Sequence, residues 1–344
     1  SSFQSILIFF SSWLIKIFKK LIIFFAYNEE ASFATLPGTL VYPKICTPLW
    51  FTISPILLRG QFPPDSTAKS TIIVSENYEL IIPKKQYGFL ILFPCFPCNA
   101  ENTRTQFNII DIASANNISV LLMNFNQHLW LSNSDKKDLE KIIMDAVNQY
   151  GIIIDNTYIG GFSSGGNVTL LLTDYLKLTE SSVQPKGLFI ADSPVDLLGL
   201  YKSSQKAIEK NISVPAVQEA NWIIETFNLE FGTGDISFNE YENKSPYFSK
   251  TNSSKNISNL NGIKIRLYSE PDTLWWKQNR QAEYEDINAY YLEQLANDLS
   301  NLYGAEQVTY IKTKNRGYRA NGNRHPHSWS IIDEEDLVNW ILTK

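Results

Sequence analysis

Short apolar runs alternate along this chain with longer stretches in which apolar positions recur every three or four residues. The short runs predict strands over residues 89–93, 118–123, 157–159 and 187–190, and the periodic stretches predict helices over 105–115, 136–150 and 166–178. Two further alternating runs, 262–268 and 308–311, extend the strand series, and 336–342 reads as a closing helix. Strands that alternate with helices imply a mostly parallel sheet covered by helices on both faces, an α/β architecture. The alternation breaks between residues 196 and 250, where 217–227 has helical spacing within polar flanks; this predicts a small cap or lid insertion.

The chemistry concentrates where one predicted strand meets the next helix. Gly160-Gly161-Phe162-Ser163-Ser164-Gly165-Gly166 follows Thr157-Tyr158-Ile159 and leads into Asn167-Val168-Thr169-Leu170. Turning a chain from strand to helix in so few residues forces a serine into an unfavourable backbone conformation, and flanking glycines remove the Cβ atoms that would collide there. Such a turn lifts a nucleophilic hydroxyl above the sheet at a helix N-terminus, where developing negative charge is favoured.

Ser163 needs a base, and the three histidines of the chain are His128, His325 and His327. His128 precedes the serine and reads as structural. The other two lie between the last predicted strand and the last helix, and His327 is preferred because the following proline holds His325 extended. The supporting acid belongs after a strand between serine and histidine, where it fixes the imidazole tautomer. Asp272 is the expectation, with Glu270 across Pro271 and Asp192 at the end of the preceding strand as alternatives.

On Gly161-Phe162-Ser163-Ser164-Gly165 and this order of serine, acid and histidine, the chain resembles the α/β-hydrolase superfamily of serine esterases and peptidases, from about residue 84 to its C-terminus. The resemblance implies the α/β-hydrolase fold and a serine hydrolase that works through an acyl-enzyme without a cofactor or metal. It also implies an oxyanion hole made by the backbone N–H of Ser164 and a second N–H from the loop after strand 89–93. That loop, Pro94-Cys95-Phe96-Pro97-Cys98-Asn99, has none of the glycines common there in the family, and its prolines lack donors, which leaves Cys95 or Phe96 as the second donor, with Phe96 preferred. Small-molecule ester cleavage is the leading expectation. A peptidase or acyltransferase with the same triad, or a catalytically silent binding protein of this fold, are the alternatives.

Composition narrows the picture. The chain has 344 residues, 44% of them hydrophobic, enough for one large core over residues 31–344 that includes the insertion. A net charge of −5 argues against nucleic acid as a ligand. Lys312, Lys314, Arg316, Arg319 and Arg324 gather near His327, as a solvated loop or as an anchor for an anionic substrate group. Cys46, Cys95 and Cys98 do not complete a zinc site; the pair in Cys95-Phe96-Pro97-Cys98 reads as buried thiols or a local disulfide bracing the loop rather than a redox catalyst. In residues 1–30, two apolar runs too short to span a bilayer flank Lys16, Lys19 and Lys20. That pattern suits an amphipathic helix lying on a membrane surface or an export signal, and either places the protein in the cell envelope or outside the cell.

Overall fold

A computed structural model describes residues 70–125, 128–232 and 238–343. The N-terminal segment 1–30, the Pro-rich stretch that follows it and Cys46 lie outside the described residues.

Eight strands form one sheet: β1 (Thr71–Val74), β2 (Tyr78–Ile82), β3 (Gly88–Phe93), β4 (Ile118–Met123), β5 (Thr157–Phe162), β6 (Pro185–Ala191), β7 (Lys264–Ser269) and β8 (Val308–Lys312). Their spatial order is β1-β2-β4-β3-β5-β6-β7-β8. The β1–β2 and β2–β4 pairs are antiparallel and every other pair is parallel.

The central strands read as unbroken apolar runs because both of their faces are covered. On β3, Phe89, Ile91 and Phe93 enter one core while Leu90 and Leu92 enter the other; on β6, Leu188 and Ile190 oppose Phe189 and Ala191 in the same way. One face is packed by α3 (Asn133–Tyr150), α4 (Ser164–Leu178) and α9 (Asn288–Tyr303), the other by α1 (Ala100–Gln106), α2 (Ile109–Ala115) and α10 (Glu334–Leu342). The helix α3 shows the logic of these coverings. Its buried residues Leu139, Ile143, Ala146 and Val147 fall on one stripe, a Ser132–Asp135 capping box starts it, and Gly151 ends it at φ 63°.

The predicted helix over 105–115 is two helices. Phe107 breaks it with an extended backbone and buries its ring against Trp329, at a centroid separation of 4.5 Å. Between β6 and β7 lie α5 (Leu197–Lys210), α6 (Val214–Phe231) and α7 (Phe238–Lys244), and α8 (Thr273–Arg280) follows β7. Arg280 of α8 donates to Ser213 Oγ at the start of α6, and Lys206 of α5 pairs with Asp286 in the turn before α9, so side-chain contacts tie these segments together. Among the described residues no helix is long and apolar enough to cross a membrane.

Candidate active site

Ser163 is the single residue between β5 and α4. Its φ of 55° and ψ of −127° lie in a sparsely populated region that costs a non-glycine residue about 1–3 kcal/mol. The surroundings hold it there: Ser163 N–H donates to Ala191 O at 2.9 Å, and Gly166 N–H to Ser163 O at 3.0 Å. The flanking glycines permit the close approach. A Cβ on Gly161 would sit 2.1 Å from Gly165 O, and one on Gly165 would sit 2.4 Å from the carbonyl oxygens of Phe93 and Pro94. Strand, serine and helix therefore meet as the motif requires.

The strand next to β5 brings the carboxylate. Phe162 pairs with Ala191 in the parallel register, so Ser163 and Asp192 each sit one residue beyond the ends of adjacent strands. Asp192 leaves β6 at φ 44°, with its N–H on Tyr268 O and its own carbonyl held by Asn288 Nδ2 at 2.8 Å. Its Oδ2 lies 2.5 Å from Nδ1 of His327. Both side chains are largely buried. The His327 ring packs on Phe162, centroid to centroid 4.5 Å, next to Ser163 in the chain.

This corrects the expectation for the acid. Asp272 does not meet His327. Its Oδ1 accepts from Trp275 N–H as the N-cap of α8, and its Oδ2 takes Arg324 at 2.7 Å. The physical cause is the turn after β7. Glu270 is buried there and accepts from Thr313 Oγ1 and from the backbone N–H groups of Arg316 and Gly317 while pairing with Arg324. Neither carboxylate of that turn is left for the histidine. Glu270 instead ties down the loop that carries His325 and His327.

His325 is not available as a base. Its ring lies against Trp275 and Trp276, at 4.7 and 5.8 Å, and its Nδ1 accepts the His327 N–H at 3.2 Å. Burial above all, with the charge of Arg319 adding to it, pushes its pKa down to about 2, so the ring is neutral. Trp275 and Trp276 are both partly buried, and they enclose this histidine rather than joining the main cores. His128 stands apart beside Trp130, at 5.6 Å. The basic residues near His327 are mostly paired: Lys312 with Glu293, Arg316 with Asp333, Arg324 with Glu270 and Asp272. These pairs brace the loop.

The loop after β3 lies against the start of α4. Cys95 and Cys98 form a disulfide that closes a four-residue ring around Phe96 and Pro97. The Phe96 side chain stacks on Trp222 of α6 at 3.8 Å with an interplanar angle of 6°. Phe96 N–H donates to Ser164 Oγ at 2.8 Å, so the two residues expected to bind an oxyanion are in direct contact, but through the Ser164 side chain. Ser164 is the first residue of α4, where backbone N–H groups have no partner within the helix. The stack of Trp222 on Phe96 had no sequence signal, since 126 positions separate the two residues. Asn167 is another such contact: its amide donates to Leu129 O and Pro194 O and fixes the elbow helix to two loops.

Two surface clefts of about 550 Å³ each lie at the opposite end of the strands, lined by Asp155, Lys186 and Lys264, and are remote from Ser163. Among the described residues no group of three His, Cys, Asp or Glu side chains is gathered as a metal site would need.

The order β1-β2-β4-β3-β5-β6-β7-β8, with a serine elbow after β5 and helices on both faces, is the α/β-hydrolase fold. An esterase/lipase from an uncultured bacterium shares it at a TM-score of 0.50 and 13% identity, covering 81% of this chain and 87% of that one. A hyperthermophilic esterase from the archaeon Pyrobaculum calidifontis is similar at 0.49 and 12%, covering 79% and 85%. An S-formylglutathione hydrolase from Agrobacterium tumefaciens is similar at 0.47 and 9%, covering 79% and 93%. At such identities the likeness speaks for the fold alone. No family model matches the chain, and no curated protein matches it by sequence.

Proposed function

We propose that this protein is a serine hydrolase that cleaves an acyl ester through an acyl-enzyme, with Ser163 as nucleophile, His327 as base and Asp192 as the supporting acid. The observation that carries the reading is the 2.5 Å contact between His327 Nδ1 and Asp192 Oδ2, one residue beyond the strand that pairs with the strained elbow at Ser163. A carboxylate on Nδ1 fixes the tautomer with the proton there and leaves Nε2 as the acceptor for the serine proton.

In this mechanism Ser163 Oγ bonds to the acyl carbon as its proton passes to His327 Nε2. The tetrahedral intermediate then expels the alcohol, which leaves with that proton. Water repeats the sequence in reverse roles: His327 takes its proton, its oxygen bonds to the acyl carbon, and the carboxylic acid departs as Ser163 recovers its hydrogen. Asp192, through its contact with Nδ1, orients the ring and stabilises the imidazolium.

A fluorophosphonate probe tests the reading, since only an activated serine is phosphonylated. The wild type should label and hydrolyse p-nitrophenyl esters of graded chain length, and Ser163→Ala should do neither while unfolding at nearly the same temperature. An unlabelled, inactive wild type would favour a silent binding protein. Aminoacyl amides assayed beside the esters separate peptidase from esterase. Export or membrane association through residues 1–30 belongs to the same proposal on sequence pattern alone, and fractionation of the full chain against one lacking them tests it.

A further inference from the structure

Ser164 follows the nucleophile, and its side chain is buried at the mouth of the elbow. Its hydroxyl accepts the Phe96 N–H at 2.8 Å. A hydroxyl that accepts one hydrogen bond keeps its own proton to donate, and among the described residues no acceptor takes that proton. The loop that supplies the Phe96 N–H is fastened twice, by the Cys95–Cys98 disulfide and by the stack of Phe96 on Trp222. With that N–H engaged on Ser164 Oγ, the pair of backbone donors expected from sequence has one member missing.

We propose that the Ser164 hydroxyl is itself an oxyanion donor. The tetrahedral oxygen would be held by the N–H and the Oγ–H of the same residue, while Phe96 N–H polarises the hydroxyl from behind. Hydrogen bonds in such a chain strengthen one another in a dry site. The arrangement also accounts for a loop without glycine in 94–99: Phe96 does not have to approach the substrate oxygen, because the serine side chain bridges the gap.

The inference rests on the serine-hydrolase reading above, and the opposite one makes an opposite prediction. If Ser164 Oγ merely occupies Phe96 N–H in the resting enzyme, removing it frees a donor for the oxyanion.

The test compares wild type with Ser164→Ala and Ser164→Cys, the latter keeping the volume with a much weaker donor. For both variants kcat/KM on a p-nitrophenyl ester should fall about 10²-fold, carried by kcat with KM nearly constant, as for loss of one oxyanion donor. Affinity for an alkyl trifluoromethyl ketone, whose adduct with Ser163 carries the oxyanion, should weaken by a similar factor. A merely structural role would not match the two losses. A rate in either folded variant equal to or above wild type would overturn the proposal and leave the triad intact. A wild type inert to both ester and fluorophosphonate would overturn the hydrolase reading instead.

Discussion

Replacing Asp192 by Asn changes one atom of the carboxylate that touches His327, and the structure gives the size of the effect. At 2.5 Å the contact is charge-assisted, and the two side chains are 7% and 18% exposed, so water cannot take the place of the carboxylate. An Asn amide can turn its NH2 toward Nδ1, which makes that nitrogen an acceptor and moves the imidazole proton to Nε2. The base is then blocked where Ser163 needs it. Loss of the correct tautomer at such a site costs about 10⁴-fold in kcat, or roughly 5.5 kcal/mol of transition-state stabilisation. Stability should fall by only about 1–2 kcal/mol, because a hydrogen bond is weakened rather than removed. The matched control is Asp272→Asn. Asn caps a helix as well as Asp, Arg324 keeps Glu270, and the lost ion pair is partly solvated, so the rate should stay within about threefold. The assay is kcat/KM on a p-nitrophenyl ester with pre-steady-state acylation for both variants, beside urea unfolding. If Asp272→Asn is crippled and Asp192→Asn is not, the acid lies after β7 and the assignment drawn from the His327 contact is wrong.

Two further outcomes follow from groups that support the site. His325 has its pKa lowered to about 2 by burial, against an unfolded value near 6.5, so the unfolded chain binds one more proton than the native chain between those limits. Stability should therefore be unaffected by this group above pH 6.5 and fall below it by about 1.4 kcal/mol per pH unit; His325→Asn should flatten that limb in urea melts at pH 6.5 and pH 4.5, and an unchanged slope would show that the ring titrates normally. The Cys95–Cys98 bridge closes a ring of only four residues, which limits its stabilisation to about 2 kcal/mol on the chain-entropy account. Reduction by a phosphine, followed by thiol titration, should lower kcat about tenfold through a looser Phe96 while the fold persists, and full activity of the reduced protein would assign the bracing to the Phe96–Trp222 stack alone.

Features encoded by local physics are legible in the residues alone. Strands buried on both faces must be apolar throughout, so β3, β4 and β6 stand out as runs, and helical spacing marks two of the helices that cover them, the one-sided stripe of α3 and the more fully buried α4. The elbow was legible because the strain at Ser163 and the close approach of Gly161 to Gly165 both lie within a few residues. The edge strand β1 and its short neighbour β2 were missed: β1 exposes Ile72 and Val74, leaving no pattern of burial to read there. Helix α9 was missed too, although Leu292, Leu295 and Leu299 recur at helical spacing. Which carboxylate meets His327 depends on long-range packing. Asp192, Glu270 and Asp272 all follow strands and satisfy the same chain order, and their roles are sorted by strand register, by the left-handed turn at Asp192 and by the Arg324 that holds the other two. The same holds for Phe96, Ser164 and Trp222: a backbone donor, a hydroxyl and an indole far apart in the chain acquire a common purpose only when the α/β-hydrolase fold sets β3, α4 and α6 side by side.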